Sequence, residues 1–206
     1  GTASQPIVFT SNQQPGDRDR GDWGGLVILG KARTNQVDPV IEGITPEVRF
    51  GGNDDNDNSG VLKYVRVEFA GIELSPNNET NGITLGGVGK GTKMEYCQVS
   101  FGGDDGFEWF GGNVDARYLI VFAGWDDDYD CDYGFSGKVQ FGLGVRYPGY
   151  ADQSESNGLE WDNGPNDNDI QPYSTATFSN FTILGPIAEG KSASNKNFAY
   201  GIDLRR

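Results

Sequence analysis

Leu62-Lys-Tyr-Val-Arg-Val-Glu-Phe-Ala-Gly71, Met94-Glu-Tyr-Cys-Gln-Val-Ser-Phe-Gly-Gly103 and Asp115-Ala-Arg-Tyr-Leu-Ile-Val-Phe-Ala-Gly124 are versions of one phrase, the third slightly out of step. Thr175-Ala-Thr-Phe-Ser-Asn-Phe-Thr-Ile-Leu184 is a fourth, weaker version. Aligning Tyr64, Tyr96 and Tyr118 gives spacings of 32 and 22 residues. Apolar residues alternate with polar ones, the period of a strand with one buried face. Val65, Val67 and Phe69 share that face in the first phrase, and Cys97, Val99 and Phe101 match them in the second. Tyr64, Tyr96 and Tyr118 fall on the other face, where stacked coils bring them into an outward tyrosine ladder.

A second recurring signal interleaves with the first. Gly82-Ile83, Gly106-Phe107, Gly134-Phe135 and Gly158-Leu159 each open a short apolar run, spaced by 24, 28 and 24 residues. Each repeat therefore holds at least two strands. A single repeat cannot bury its own apolar face, whereas stacked repeats bury it and pair each strand with its equivalents. Spacings of roughly 22 to 28 residues leave little room for helices and fall short of the ~40 residues of a propeller blade. A β-sandwich would not require recurring near-identical phrases. The expectation is an all-β, single-domain right-handed parallel β-helix over residues 1–206. Pro6–Thr10 and Trp23–Leu29 read as its first strands, Gln13–Asp22 as a polar loop, and Ser192–Asn197 as a loop or linker.

Composition agrees with many short strands joined by turns. Glycine contributes 32 of 206 residues, hydrophobic residues only 35%, and the 12% aromatic content argues against disorder. The formal net charge of −14 repels nucleic acids and anionic membrane surfaces and suits cations or cationic partners. No stretch approaches the roughly 20 apolar residues of a membrane-spanning helix. The absence of histidine removes Ser-His-Asp and Cys-His nucleophilic chemistry and His-ligated zinc. The opening Gly1-Thr-Ala-Ser4, without initiator Met or signal peptide, reads as a mature product or as part of a longer chain with N-terminal coils missing.

Several phrases carry a resemblance. They are Gly1-Thr-Ala-Ser-Gln-Pro-Ile-Val-Phe-Thr-Ser11, Gly21-Asp-Trp-Gly-Gly-Leu-Val-Ile-Leu-Gly30, Gly51-Gly-Asn-Asp-Asp-Asn-Asp-Asn-Ser-Gly60, Gly103-Asp-Asp-Gly-Phe-Glu-Trp-Phe-Gly-Gly112 and Gly124-Trp-Asp-Asp-Asp-Tyr-Asp130. Together they resemble secreted or surface-anchored bacterial β-helix proteins of Bacteroidetes-type organisms, often lipoproteins or carriers of a C-terminal sorting domain. The resemblance spans nearly the whole chain. It implies a pectate-lyase-like fold and a location outside the cytoplasm, secreted or on the outer cell surface, and says little about activity.

Chemistry concentrates where strands end in carboxylates. Phe101-Gly-Gly leads into Asp104-Asp105, and Phe122-Ala-Gly-Trp into Asp126-Asp127-Asp128. Stacked in register, these turns lie about 4.8 Å apart. Carboxylates that close repel unless a cation, a proton or a basic side chain intervenes. One reading is a calcium site at Asp104, Asp105, Asp126, Asp127 and Asp128, because calcium takes six to eight oxygen ligands. The other is a solvated turn in which Asp and Asn cap backbone N–H groups. Asn53–Asn58 imitates the start of an EF-hand loop, but the twelfth position from Asp54 is Val65, so it reads as an acidic turn; Asp162–Asp169 reads alike.

The Asp104-Asp105 step faintly resembles a pectin-hydrolase motif, yet the Gly-His-Gly and Arg-x-Lys motifs of those enzymes are missing, and Arg117 and Arg146 match no lyase motif. Catalysis is therefore less favoured than binding. Trp109, Trp125, Tyr129 and Trp161 lie near the acidic turns and are candidates for docking a sugar, while the tyrosine ladder reads as a stabilising stack. Cys97 faces inward and Cys131 falls in the acidic turn region, 34 residues apart, as a disulfide or two thiols. The leading expectation is an extracytoplasmic module that binds a polysaccharide or cell-surface glycan, with calcium as its cation. The alternatives are a polysaccharide lyase or glycoside hydrolase with an acidic site, and a structural protein that self-assembles by coil stacking.

Overall fold

Each repeat becomes one coil of a parallel β-helix and contributes one strand to each of two sheets. The computed structural model describes all residues except 42–43, 76–77, 166–168, 188–195 and 206. In chain order the strands are β1 (Ile7–Phe9), β2 (Leu26–Leu29), β3 (Val61–Glu68), β4 (Glu73–Ser75), β5 (Asn78–Glu79), β6 (Ile83–Gly86) and β7 (Lys93–Ser100). They continue as β8 (Phe107–Phe110), β9 (Ala116–Phe122), β10 (Tyr129–Asp132), β11 (Lys138–Val145), β12 (Leu159–Trp161), β13 (Thr177–Leu184) and β14 (Asp203–Leu204). The first sheet runs β1-β3-β7-β9-β11-β13 and the second β14-β12-β10-β8-β6-β2, with every pairing parallel. Strands β4 and β5 pair antiparallel as a separate two-stranded sheet.

The core lies between the sheets. Val65, Cys97 and Leu119 stand in register on one side, and Ile83, Phe107, Tyr129 and Leu159 on the other. Phe107 stacks on Tyr129 at 5.8 Å and Trp109 on Phe135 at 5.4 Å. The part of the 192–197 stretch up to Asn195 lies outside the described residues.

Strands of the first sheet are bent by one residue each. Tyr64, Tyr96, Tyr118, Phe141 and Asn180 share a register position, and all have φ between 52° and 62°. That left-handed conformation costs a bulky L-residue about 1–2 kcal/mol. Ring stacking offsets the cost: Tyr64–Tyr96, Tyr96–Tyr118 and Tyr118–Phe141 lie 4.6, 4.5 and 4.9 Å apart with nearly parallel planes. The expected ladder is present, and Phe141 extends it through strand β11, which the repeat phrases did not reveal.

Two strand readings are corrected. Phe69 and Phe101 do not join the inward set; both sit at a second left-handed corner and stack on each other at 5.2 Å, outside the core. A left-handed residue rotates its side chain off the alternation, so period two fails there. The rung that pairs with Phe107 and Leu159 begins at Tyr129, not at Phe135. Rung spacings in the second sheet are then 24, 22 and 30 residues. The position before each rung reads Gly82, Gly106, Asp128, Gly158, so the glycine signal is missing from one coil.

Candidate functional site

The turn leading into the second sheet carries Asn81, Asp105, Asp127 and Asn157 at one register position. The side-chain oxygens of the last three cap the coils in sequence, whereas Oδ1 of Asn81 is buried without a hydrogen-bond partner. Asp105 accepts the backbone N–H of Asp127 at 2.8 Å, Asp127 that of Asn157 at 2.5 Å, and Asn157 that of Tyr200 at 3.1 Å. For Asp105 and Asp127 the capping reading of the turn is thus realised.

Three residues on, the second sheet presents Thr84, Glu108, Asp130, Glu160 and Asp203 as one row. The asparagine coils serve this row. Asn157 donates its amide to Glu160 at 2.8 Å, and Asn81 donates to Glu108 and, at 3.1 Å, to Thr84. Arg205 pairs with Glu160 at the far end. Asp105 and Asp127 have no amide to offer. Carboxylate oxygens of Asp105, Glu108 and Asp130 come within 4.8 Å of one another, and Oδ1 of Asp130 is buried without a hydrogen-bond partner.

On the adjoining edge of the same turn, Asp104, Asp105 and Asp126 form a second group with oxygens within 4.8 Å. Oδ1 of Asp126 is likewise buried and unpartnered, while Ser154 Oγ donates to its Oδ2 at 3.3 Å. Burial drives the four aspartates of the two groups toward the protonated form. It raises Asp104, with Glu108 and Asp126 adding repulsion, and raises Asp105, with Asp104 and Asp127 adding to it. Burial raises Asp130, with Glu108 next, and lifts Asp126 to about 8, with Asp127 adding repulsion.

Of the five acids expected to hold a metal, the structure gathers Asp104, Asp105 and Asp126. Asp127 faces away into the capping ladder; burial lifts it to about 6 against the pull of the Asn157 N–H. Asp128 turns into the solenoid, where a Cβ on Gly144 would come within 2.2 Å of its Oδ2, and pairs with Arg146 at 2.9 Å. Burial lifts it to about 7, with Arg146 opposing. Glu108 and Asp130 were missed, although Glu108 and Asp130 repeat the 22-residue interval that separates Asp105 from Asp127.

The acids of each group fit a hard cation: the donors are all carboxylate oxygens, and each group holds one that is buried without a partner, Asp126 Oδ1 and Asp130 Oδ1. Beside them opens a polar cleft of roughly 620 Å³, lined by Arg20, Glu73, Glu79, Trp125 and Asp152 among others. Trp125 donates Nε1–H to Asp152 at 2.7 Å, and the Arg20 guanidinium lies 3.5 Å over its ring.

The sugar-docking reading is corrected for three of its four aromatics. Trp109 and Tyr129 are 0% exposed, because alternation points them into the core. The Tyr129 hydroxyl is held by the Leu119 and Leu143 carbonyls. Trp161 packs partly buried against the core and Phe178. Only Trp125 borders the cleft. Of the two cysteine alternatives the structure takes the thiols: Cys97 and Cys131 are both free and buried, on strands β7 and β10 of opposite sheets. Burial pushes the Cys97 thiol up to about 11. Asp54 and Asp57 of the acidic 53–58 turn cap backbone and side-chain donors, and Asp55 pairs with Arg33 at 3.1 Å.

No described helix is long and apolar enough to cross a membrane, which does not bear on β-barrels. No curated protein and no solved structure matches the chain. A family model described as a pectate-lyase-like beta helix domain matches residues 1–206, the full length of a chain whose coils and core are those of such a solenoid, and the protein belongs to that family.

Proposed function

We propose that this protein is a polysaccharide-binding module of the bacterial cell exterior, with calcium held by Asp104, Asp105 and Asp126 at the mouth of the Trp125 cleft. The observation that carries the reading is the pairing of that acid group, with its unpartnered Asp126 oxygen, to a polar cleft beside it. A bound calcium would leave coordination positions for sugar hydroxyls or carboxylates. Arg20, Glu73 and Asp152 would supply the hydrogen bonds that orient a sugar. The membership of the family supports a polysaccharide-related role in general terms.

The test is retention on a panel of immobilised neutral and acidic polysaccharides, with calcium and with chelator. Calcium-dependent retention that is lost in Asp126→Asn supports the reading. Equal retention with chelator, or none on any glycan, removes it. A lyase or hydrolase is the second reading, because Asp126, raised to about 8, is protonated at neutral pH as a general acid must be. New chain ends released from the same panel, and not by Asp126→Asn, would establish that reading.

A further inference from the structure

Arg146 is a buried cation of the 126–158 turn region whose partners answer only part of its guanidinium. The residue is 5% exposed. Its Nη1 donates to the Asp126 carbonyl at 2.6 Å, to Asp128 Oδ1 at 2.9 Å and to the Asn157 carbonyl at 3.3 Å. Its Nε and Nη2 have no acceptor at all. A guanidinium offers Nε–H and Nη2–H as a parallel fork that matches the two oxygens of a carboxylate. Leaving such donors dry costs about as much as a lost charged hydrogen bond, so an acceptor is expected where space allows.

Space is present. Arg146 lines a cavity of roughly 580 Å³ between the last coils, together with Ile183, Pro186, Ile187, Lys196 and Phe198 among others. The Phe198 ring stands 5.5 Å from the guanidinium carbon. The walls are mostly apolar, and Lys196 adds a second cation at the rim. We infer that this cavity is a binding site for a small organic carboxylate, anchored by the Nε/Nη2 fork of Arg146 with its apolar body against Ile183, Ile187 and Phe198. A phosphate dianion fits less well, because Asp128 already pairs with the other side of the guanidinium and the walls are mostly apolar. The site is separate from the acidic cleft, shares none of its side chains and does not depend on calcium.

The test uses calorimetry and ligand-observed NMR on the whole chain in chelator, which sets aside any cation at the acidic turns. Benzoate is the probe, benzamide its neutral counterpart, and galacturonate and inorganic phosphate are separate arms. The expected result is one-to-one binding of benzoate at least tenfold tighter than benzamide. That binding should weaken at least tenfold in Ile187→Trp, which fills the cavity from an exposed position, and in Lys196→Glu. Arg146→Lys keeps a cation beside Asp128 but loses the fork, and should weaken benzoate similarly while the protein stays folded. Galacturonate binding with the same response to Ile187→Trp would identify a uronic acid as a natural source of the carboxylate. No binding of benzoate or galacturonate, equal binding of benzoate and benzamide, tighter binding of phosphate, or indifference to Ile187→Trp would each overturn the inference.

Discussion

The coils at Asn81 and Asn157 and the coils at Asp105 and Asp127 use the same turn and the same register, and Asn157 caps as the two aspartates do, yet the two kinds differ in charge. Capping a backbone N–H requires only an oxygen, and an asparagine supplies it while its amide satisfies the glutamate three residues on, as Asn157 does for Glu160. The aspartates cap equally well and leave Asp105, Glu108 and Asp130 facing one another. The charge in the middle coils is therefore not explained by the turn. It stores repulsion in a buried place, which a cation or protons must relieve.

The largest effect expected is on stability against pH. Asp126, near 8, and Asp128, near 7, hold protons in the folded chain that unfolded carboxylates release near 4. The folded state binds more protons across this window, so stability falls as pH rises from about 4 to about 8. For Asp126 alone the loss is on the order of 5 kcal/mol in chelator. Calcium should flatten the profile at its alkaline end, which thermal unfolding at stepped pH checks. A profile that rises with pH in chelator would break the comparison.

Asp128 is a third arrangement, an acid balanced by a base. At pH 8, Arg146→Met should destabilise the chain by about 3–5 kcal/mol in urea unfolding, because it strands a buried carboxylate. Adding Asp128→Gly, the residue that the equivalent position carries at Gly82, Gly106 and Gly158, should recover most of that loss.

Asp105→Asn converts a middle coil to the flanking kind. In chelator at pH 8 it should stabilise by about 1–3 kcal/mol, since a new amide hydrogen bond replaces a carboxylate contact. It should also remove the calcium-induced shift in melting temperature. The smallest effect belongs to the aromatic corner. Tyr96→Asn gives up two ring stacks but places a residue better suited to positive φ, for a net loss of about 1 kcal/mol that calcium does not alter. A calcium-dependent loss there would show that the two ladders are coupled.

The architecture was legible because stacking repeats a local problem: each coil needs apolar residues at matching positions, and the tyrosine phrases display them. The signal failed where one residue departed from the template. At Asp127-Asp128 the Asx-Gly step of the other coils lacks its glycine, and the next glycine, Gly134, drew the rung to Phe135 instead of Tyr129. The same slip hid Asp130 as the partner of Glu108. Trp109 and Tyr129 were misread because closeness to acidic residues along the chain says nothing about which face of a strand a ring takes, whereas alternation from Phe107 would have turned Trp109 inward.

The sequence by itself determined the solenoid, the tyrosine ladder and the presence of an acidic turn, since these follow from residue type at a repeating interval. The tertiary structure alone decided which carboxylates meet. Asp104, Asp105 and Asp126 converge, Asp127 is spent on a backbone N–H, and Asp128 crosses the core to Arg146. Those choices depend on side-chain direction and on the room that Gly144 leaves on the facing sheet, which are distances between coils rather than spacings along the chain.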